Sequence, residues 1–371
     1  MARYATVEGT AGYRRRFAGK VAEGSFRSWE GLSLSSIGLG TYLGNHDPLT
    51  DQLYGEAIRR ALQLGCNVLD TAINYRFQRS ERIIGQVLAD LIRQGELTRE
   101  EVIVATKGGF LPLDGSPPSN PAAYLLETYV RSGIIRPEEV VAGCHCLSPR
   151  YLQDQLDRSL RNLGLSCVDI YYLHNPEMQL EEVPREEFHR RVRAAFEALE
   201  RAADQGKIRM YGTATWNGYR RPPEAQDYLS LETLVRLARE VAGNGHRFKV
   251  IQLPYNLAMS EAFVVQNQRV DGEMVSLLEA AGRFGIYVMT SASILQSRLT
   301  RNLPPFLRDC FPDLATDAQR ALQFVRSTPG VGTALVGMKQ IAHVEENLKV
   351  AEVPPAAPDE IRRLFSRPKV S

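Results

Sequence analysis

The sequence predicts an α/β fold, a closed (β/α)8 barrel, on three observations. Short apolar runs alternate with stretches of helical spacing about eight times between residues 35 and 350, and eight is the number at which parallel strands close on themselves. The runs carry no polar face, as expected of parallel strands buried under crossover helices. The polar residues with chemistry to offer sit where those runs give out, the end at which a parallel barrel assembles its sites. An open doubly wound sheet is the alternative that the same rhythm leaves.

Size and composition narrow the function. The chain has 371 residues, 44% hydrophobic and 24% charged, enough for one large barrel with additions. A net charge of +2 provides no field to gather nucleic acid or an anionic membrane. The start, Met1-Ala2-Arg3-Tyr4, lacks the apolar stretch of a secretory signal, and no run approaches the roughly 18 apolar residues of a membrane span. A soluble cytoplasmic protein with a small-molecule partner is expected, its oligomeric state unread. Five scattered cysteines suit a reducing compartment. Cys144-His145-Cys146 invites a metal reading. Val140 to Cys146 reads as strand, however, which turns His145 away from the two sulfurs, and no second pair completes a ligand set.

The elements follow in order. Residues 1–34 read as an N-terminal cap or hairpin. Leu34 to Tyr42 is a strand with Gly38-Leu39-Gly40-Thr41 at its end; Leu43 denies it the Gly-x-Gly-x-x-Gly fingerprint, which argues against a dinucleotide-binding Rossmann unit. Leu53 to Leu62 has helical spacing, with Gly65 placed to end it. The strand to Asp70 follows, then a helix marked by Ile83, Ile84, Val87, Leu88, Leu91 and Ile92, and the strand Val102 to Ala105. Ser148-Pro149 starts a helix, with serine as cap and proline in the first turn. Strands are then expected at Val168–Leu173, Lys207–Gly212, Lys249–Leu253, Gly285–Met289 and Gly332–Val336. Helices are expected at Val192–Ala203, Leu231–Ala242, Val275–Ala281, Ala318–Val325 and Val344–Val350. Residues 352–371 form a tail with a short helix from Ile361 to Phe365. Residues 108–147 break the rhythm, with about 40 residues where a typical connection has 2–6. Ala122 to Val130 has helical spacing within this insertion, which reads as a lid over the site or, alternatively, as surface elaboration.

Four side chains carry the candidate chemistry. Asp70 ends the second strand and Tyr75 lies in the loop after it; Lys107 ends the third strand and His174 the fourth. A free tyrosine is a poor acid near neutrality. An adjacent ammonium favours its phenolate, and Asp70 would keep Lys107 charged and oriented. His174 can hydrogen-bond a carbonyl oxygen. The set makes a proton donor for an oxygen that becomes an alkoxide, with hydride supplied from outside the side chains. No Gly-x-Ser-x-Gly elbow points to a serine hydrolase.

These residues stand in motifs that resemble the aldo-keto reductase superfamily: Asp70-Thr71-Ala72-x-x-Tyr75, Ser80-Glu81-x-x-x-Gly85, Ala105-Thr106-Lys107 and Asp169-Ile170-Tyr171-Tyr172-Leu173-His174. Gly38 to Thr41 and Glu345-Glu346-Asn347 are similar to its first and last motifs, so the resemblance spans about residues 35–350. It implies a TIM barrel and an oxidoreductase interconverting carbonyl and alcohol with NADP or NAD. It makes Tyr75 the general acid/base, Lys107 and Asp70 its tuners, and His174 the residue that orients the carbonyl.

For the cofactor, the resemblance places Gly40, Thr41, Tyr42 and Asp70 near the nicotinamide ribose and Gln252 at the carboxamide. The family's Ser-Asn pair is Ala214-Thr215 here, and Ser291 stands where an aromatic ring usually stacks, with Trp216 as an alternative stacking residue. Ala292, Ile294 and Gln296 continue that lining. At the adenosine end it assigns Gly337, Met338, Lys339, His343, Glu346 and Asn347. Lys339 can pair a 2′-phosphate where the family often has an arginine at the position of His343; NADP is favoured and NAD stays open. Tyr42, Phe110, Asn175 and Trp216 are expected to meet substrate. A nicotinamide-binding regulatory subunit and a redox-neutral epimerase remain as other functions.

Overall fold

The computed structural model describes residues 4–366. Eight strands form the barrel: β1 Ile37–Gly40, β2 Val68–Asp70, β3 Ile103–Gly108, β4 Val168–His174, β5 Ile208–Ala214, β6 Phe248–Pro254, β7 Tyr287–Ser291 and β8 Thr333–Gly337. Each pairs in parallel with its sequence neighbours, and β8 closes on β1. The open sheet is therefore excluded. The helices between and after them are α1 Pro48–Gln63, α2 Arg79–Arg93, α3 Pro149–Leu163, α4 Arg185–Asp204, α5 Leu231–Ala242, α6 Leu277–Arg283, α7 Asp317–Ser327 and α8 Ile341–Leu348.

Local chemistry explains where these helices begin and end. Asp47 caps α1, its carboxylate accepting from Thr50 N, and Pro48 occupies the first turn. α3 opens on Pro149 and ends at Gly164, a residue at φ +62° that satisfies the last carbonyls. The buried stripe of α2, Ile84, Val87, Leu88 and Leu91, recurs at helical spacing. Such stripes pack on the outer face of the strands. A second apolar layer fills the barrel itself, with Val68, Ile103, Ile170, Met210, Val250, Met289 and Leu335. The closest approach in the wall is at Gly212, where any Cβ would lie 1.7 Å from the Val250 carbonyl oxygen, so only glycine fits.

The N-terminal segment holds more than a hairpin. A helix, Val7–Arg15, precedes the hairpin Phe26–Trp29 and Leu32–Ser35. Glycines at 9 and 12 and only two buried residues, Thr10 and Tyr13, hide its amphipathic signal. Leu32 and Leu34 join the interior layer and plug the end of the barrel where the strands begin. There Asp169 accepts from Ala5 N (2.7 Å), Val104 N (2.8 Å) and Arg99 Nη2 (2.7 Å). The apolar run Leu34 to Tyr42 is thus two strands, the end of the hairpin and β1.

Two further expectations are corrected. Val275 belongs to a hairpin, Gln268–Val270 with Glu273–Val275, and α6 starts beyond it because Ser276 caps its first turn. Val140 to Cys146 is not a regular strand: Ala142 (φ +50°) and Gly143 (φ +65°) turn the chain, leaving single bridges of His145 to Phe110 and to Val141. In the insertion, Pro121–Leu125 is helical and runs into a wider turn, Leu126–Arg131, over a small cluster of Tyr129, Ile135, Cys146 and Tyr151. The tail helix is Pro358–Ser366, with Ile361 buried; residues 367–371 of the expected tail lie outside the described residues. No described helix is long and apolar enough to cross a membrane.

Candidate active site

The strand register brings the four polar residues to one end of the barrel. Gly40 pairs with Asp70, Asp70 with Ala105, Lys107 with Tyr172 and His174 with Ala214. After Asp70 the loop is pinned to β3, Thr71 N donating to Ala105 O at 2.9 Å. Tyr75 closes a turn through its N–H to Ala72 O (3.0 Å). Arg76, Phe77 and Gln78 then adopt φ values of +49°, +55° and +69°, a run of left-handed residues that non-glycine chains rarely sustain. The buried Arg76 guanidinium holds this bend, bonding Asn45 O (2.7 Å) and Asp51 Oδ1 (2.6 Å).

At the base of the site Lys107, fully buried, donates to Asp70 Oδ2 at 2.6 Å and to Thr71 O at 2.8 Å. The other carboxylate oxygen, Asp70 Oδ1, accepts from Gln252 Nε2 at 2.7 Å. Lys107 Nζ lies 5.0 Å from the centre of the Tyr75 ring. That ring meets Tyr42 edge-on at 5.0 Å and His174 at 5.8 Å. Phe110 lies edge-on to His174 at 4.9 Å.

The protonation states follow from burial. Burial pushes the Tyr75 phenol well above its usual value, and the negative charge of Asp70 adds to this. The net shift is upward, against the lowering expected from Lys107, because burial is its largest cause. Tyr75 therefore rests as a neutral O–H, the form that donates. Burial lowers Lys107 while Asp70 opposes the shift. Burial, then the charge of Lys107, holds His174 well below 6.5, so it is neutral at pH 7, with one ring nitrogen as donor and one as acceptor.

Above these groups opens a cleft of about 520 Å³. Its walls include Gly40, Thr41, Tyr42, Asp70, Tyr75 and His174, together with Phe110, Asn175, Thr215, Trp216 and Gln252. Ser291, Ala292, Ile294, Gln296 and Gly337 complete the expected residues that line it. Lys107 lies beneath the wall. Met338, Lys339, His343, Glu346 and Asn347 do not line the cleft; they sit after β8 and along α8, with His343 exposed and Met338 and Asn347 buried. Leu43, Asn74, Ser293 and Ser297 line the cleft without having been singled out in the sequence; Asn74 at least adjoins Tyr75. Glu177 was also missed: its Oε1 accepts from Trp216 N (2.9 Å), Asn217 N (3.1 Å) and Gly218 N (3.3 Å), and so shapes the loop behind Trp216.

The residues present fit a nicotinamide dinucleotide. Thr215 Oγ1 and Asn347 Oδ1 are buried without partners, one at the cleft and one on α8, and buried polar atoms of this kind call for a ligand or water. Between them, Ala292, Leu295, Gln296 and Ser297 all have positive φ, a strained segment of the sort held at binding sites. Among the described residues no group of three His, Cys, Asp or Glu side chains is placed to hold a metal ion.

A parallel eight-stranded barrel with a buried lysine–aspartate pair under a tyrosine and a histidine at its C-terminal mouth defines a class of barrel oxidoreductase. The sequence matches the profile of the aldo/keto reductase family over residues 36–303, and the chain belongs to that family. It is 22% identical to the uncharacterized oxidoreductase YqkF of Bacillus subtilis over 343 residues, 91% of this chain and 94% of that one. It is 29% identical to the NADH-specific methylglyoxal reductase of Escherichia coli over 189 residues, about half of each. Among solved structures, an aldo/keto reductase from Klebsiella pneumoniae in complex with NADP and acetate superposes with a TM-score of 0.61 at 21% identity, covering 94% of this chain and 97% of the other. The glycerol dehydrogenase of Gluconobacter oxydans gives 0.62 at 20% identity, over 93% and 95%. At these identities the structural likeness establishes the fold.

Proposed function

We propose that this chain is an NAD(P)-dependent oxidoreductase that interconverts an aldehyde, ketone or aldose and its alcohol, with NADP preferred. The observation that carries the reading is the Lys107–Asp70 pair, 2.6 Å apart and buried beneath the Tyr75 ring. Taking two charges out of water is costly, and this pair lies under a proton-donating phenol at the floor of an open cleft.

A bound reduced nicotinamide supplies hydride to the carbonyl carbon. The chain's residues do the rest. His174, neutral, presents an N–H to the carbonyl oxygen and sets its angle. Tyr75 gives its phenolic proton to that oxygen as the C–H bond forms, so the carbonyl gains one hydride and one proton. The phenolate left behind lies beside the Lys107 ammonium, which offsets its charge, and is reprotonated from solvent. The reverse direction runs the same proton back to Tyr75. Gln252 and Thr215 would hold the carboxamide. Lys339, His343 and Asn347 would hold the adenosine end, where Lys339 favours a 2′-phosphate; NADP in the Klebsiella pneumoniae relative supports that preference.

The lining also speaks for neutral substrates. Among the described residues its one carboxylate, Asp70, is committed to Lys107 and Gln252, and no lysine or arginine lines the cleft. A substrate carboxylate or phosphate would find no counter-charge, whereas Tyr42, Phe110 and Trp216 offer apolar walls. We further propose that residues 108–147 act as a lid, since Phe110 at their base stands in the wall.

The test is turnover of NADPH and NADH against neutral aldehydes, ketones and aldoses, with keto acids and sugar phosphates alongside. Oxidation of NADPH with neutral carbonyls, falling roughly 10²–10⁴-fold in Tyr75→Phe with cofactor affinity retained, is expected. Tight cofactor binding without turnover would replace this reading by a regulatory subunit or a redox-neutral enzyme.

A further inference from the structure

His145 is a fully buried histidine that the chemistry above does not use. Its surroundings begin with the sheet. The β3–β4 ladder ends at Gly108 and Leu173, so the next carbonyl on β4, that of His174, receives nothing from β3. Gly109 passes beside it instead, at φ +148°, where any Cβ would lie 2.8 Å from both His174 O and His145 Nε2. The imidazole of His145 supplies the missing donor: Nε2 lies 2.7 Å from His174 O.

The direction of this bond is fixed by its neighbours. A carbonyl oxygen only accepts, so Nε2 carries the proton. His145 Nδ1 lies 2.9 Å from Gln179 Nε2, and as the unprotonated nitrogen it accepts from that amide. The Gln179 amide is oriented in turn, since its Oε1 accepts from Arg191 Nη1 at 2.6 Å. Donation therefore runs one way, from Arg191 through Gln179 and His145 to the backbone of His174. Both nitrogens of His145 are occupied, which leaves no lone pair for a metal and removes the metal reading of Cys144-His145-Cys146.

The same ring sets a wall of the cleft. Phe110 is held edge-on between His145 (5.2 Å, 86°) and His174 (4.9 Å, 86°). The two ends of the insertion are zipped around it, Leu111 N donating to Cys144 O (2.7 Å) and Cys146 N to Gly109 O (2.8 Å). Tyr151 fixes the Phe110 carbonyl at 2.5 Å.

We propose that His145 is a positioning residue for carbonyl reduction, holding the His174 main chain and the Phe110 ring so that His174 meets the carbonyl oxygen at a productive angle. This rests on the reaction proposed above. A misplacement of about 1 Å at a reacting group can cost around 10²-fold, which is the scale expected here.

Two measurements on the full-length protein test it. In protein labelled with ¹⁵N-histidine, the His145 signals, assigned by their loss in His145→Gln, should show a neutral ring protonated at Nε2 at pH 7. In NADPH-dependent turnover, His145→Phe should lower kcat roughly 10- to 100-fold with NADPH affinity unchanged, and His145→Gln, which keeps a side-chain N–H, should recover part of the loss. In a His174→Ala background His145→Phe should cost nothing more, because it acts through His174. A ring protonated at Nδ1, or an equal loss in both backgrounds, overturns the proposal. Should His145→Phe fold poorly, the tautomer and the kcat of His145→Gln decide it. If the wild type reduces no carbonyl the proposal falls with the reaction, and the tautomer tells whether the geometry or the chemistry was wrong.

Discussion

Replacing Lys107 by methionine tests the physics at the base of the site. The substitution keeps the length and apolar stem of a side chain that is fully buried and deletes its ammonium. Asp70, whose side chain is 6% exposed, then keeps the Gln252 donor but loses its counter-charge, and Thr71 O loses its donor. Removing one partner of a buried ion pair costs about 3–5 kcal/mol, mostly through the charge left behind. For 371 residues, at about 2.1 cal/mol/K per residue, 1 kcal/mol corresponds to about 1.3 °C in Tm. Lys107→Met should therefore lower Tm by about 4–6 °C. Adding Asp70→Asn removes the stranded charge and should restore more than half of that. Thermal unfolding of the wild type and the two variants, followed by circular dichroism and by cofactor binding, reads both effects. A Tm within 1 °C of wild type for Lys107→Met, or a further drop in the double variant, would refute the account of the pair as a buried, mutually dependent charge couple.

Two further outcomes follow from buried groups around the cleft. Glu177→Gln keeps an acceptor for the three backbone N–H groups of the Trp216 loop. Burial raises the Glu177 carboxyl, so the glutamate contributes less stability as pH rises past about 4.5. The glutamine variant should stay within about 1 kcal/mol of wild type at pH 7, whereas Glu177→Leu should lose about 1–3 kcal/mol in urea unfolding. His145 behaves oppositely with pH. Burial lowers it from 6.5 to about 4, so the unfolded chain takes up the proton first. Its stabilising effect is full above pH 6.5, falls between 6.5 and about 4, and is flat below. The stability difference between wild type and His145→Phe should narrow by about 3 kcal/mol between pH 7 and pH 4; a constant difference would contradict a neutral buried ring.

What could be read from the sequence tracks what is local. Strand ends announce themselves because an apolar run stops, and Asp70, Lys107 and His174 each stand at such a stop. Parallel pairing then brings them to one mouth whatever the details of the helices. Residues whose partners lie elements away left no such mark. Glu177 and Gln179 follow His174 in a short 3-10 helix, Pro176–Glu181, yet one reaches the backbone beyond β5 and the other the insertion. His145 read as a strand residue turned away from the two cysteine sulfurs, because the turn at Ala142-Gly143 depends on tertiary contacts. The N-terminal helix was masked by its glycines, and the hairpin before α6 by three-residue strands too short for alternation to register. The state of Tyr75 is the same lesson in electrostatics: its upward shift comes first from burial, which only the folded barrel creates.

The zipped ends of the insertion leave one exposed stretch of it, residues 116–123, largely unconstrained. The chain leaves the barrel at Gly109 and returns at Cys146 within hydrogen-bonding distance of its own departure, so the excursion is a cassette on a rigid socket. Lengthening a loop whose ends are already joined costs only about 0.6 kcal/mol per doubling. The exposed stretch 116–123 can thus drift in length and composition, while the socket and the buried Tyr129 and Ile135 hold the rest of the insertion in place. A graft exchanging the largely exposed residues 116–123 should be tolerated, where a cut at 109 or 146, or loss of the buried Tyr129 and Ile135, would not.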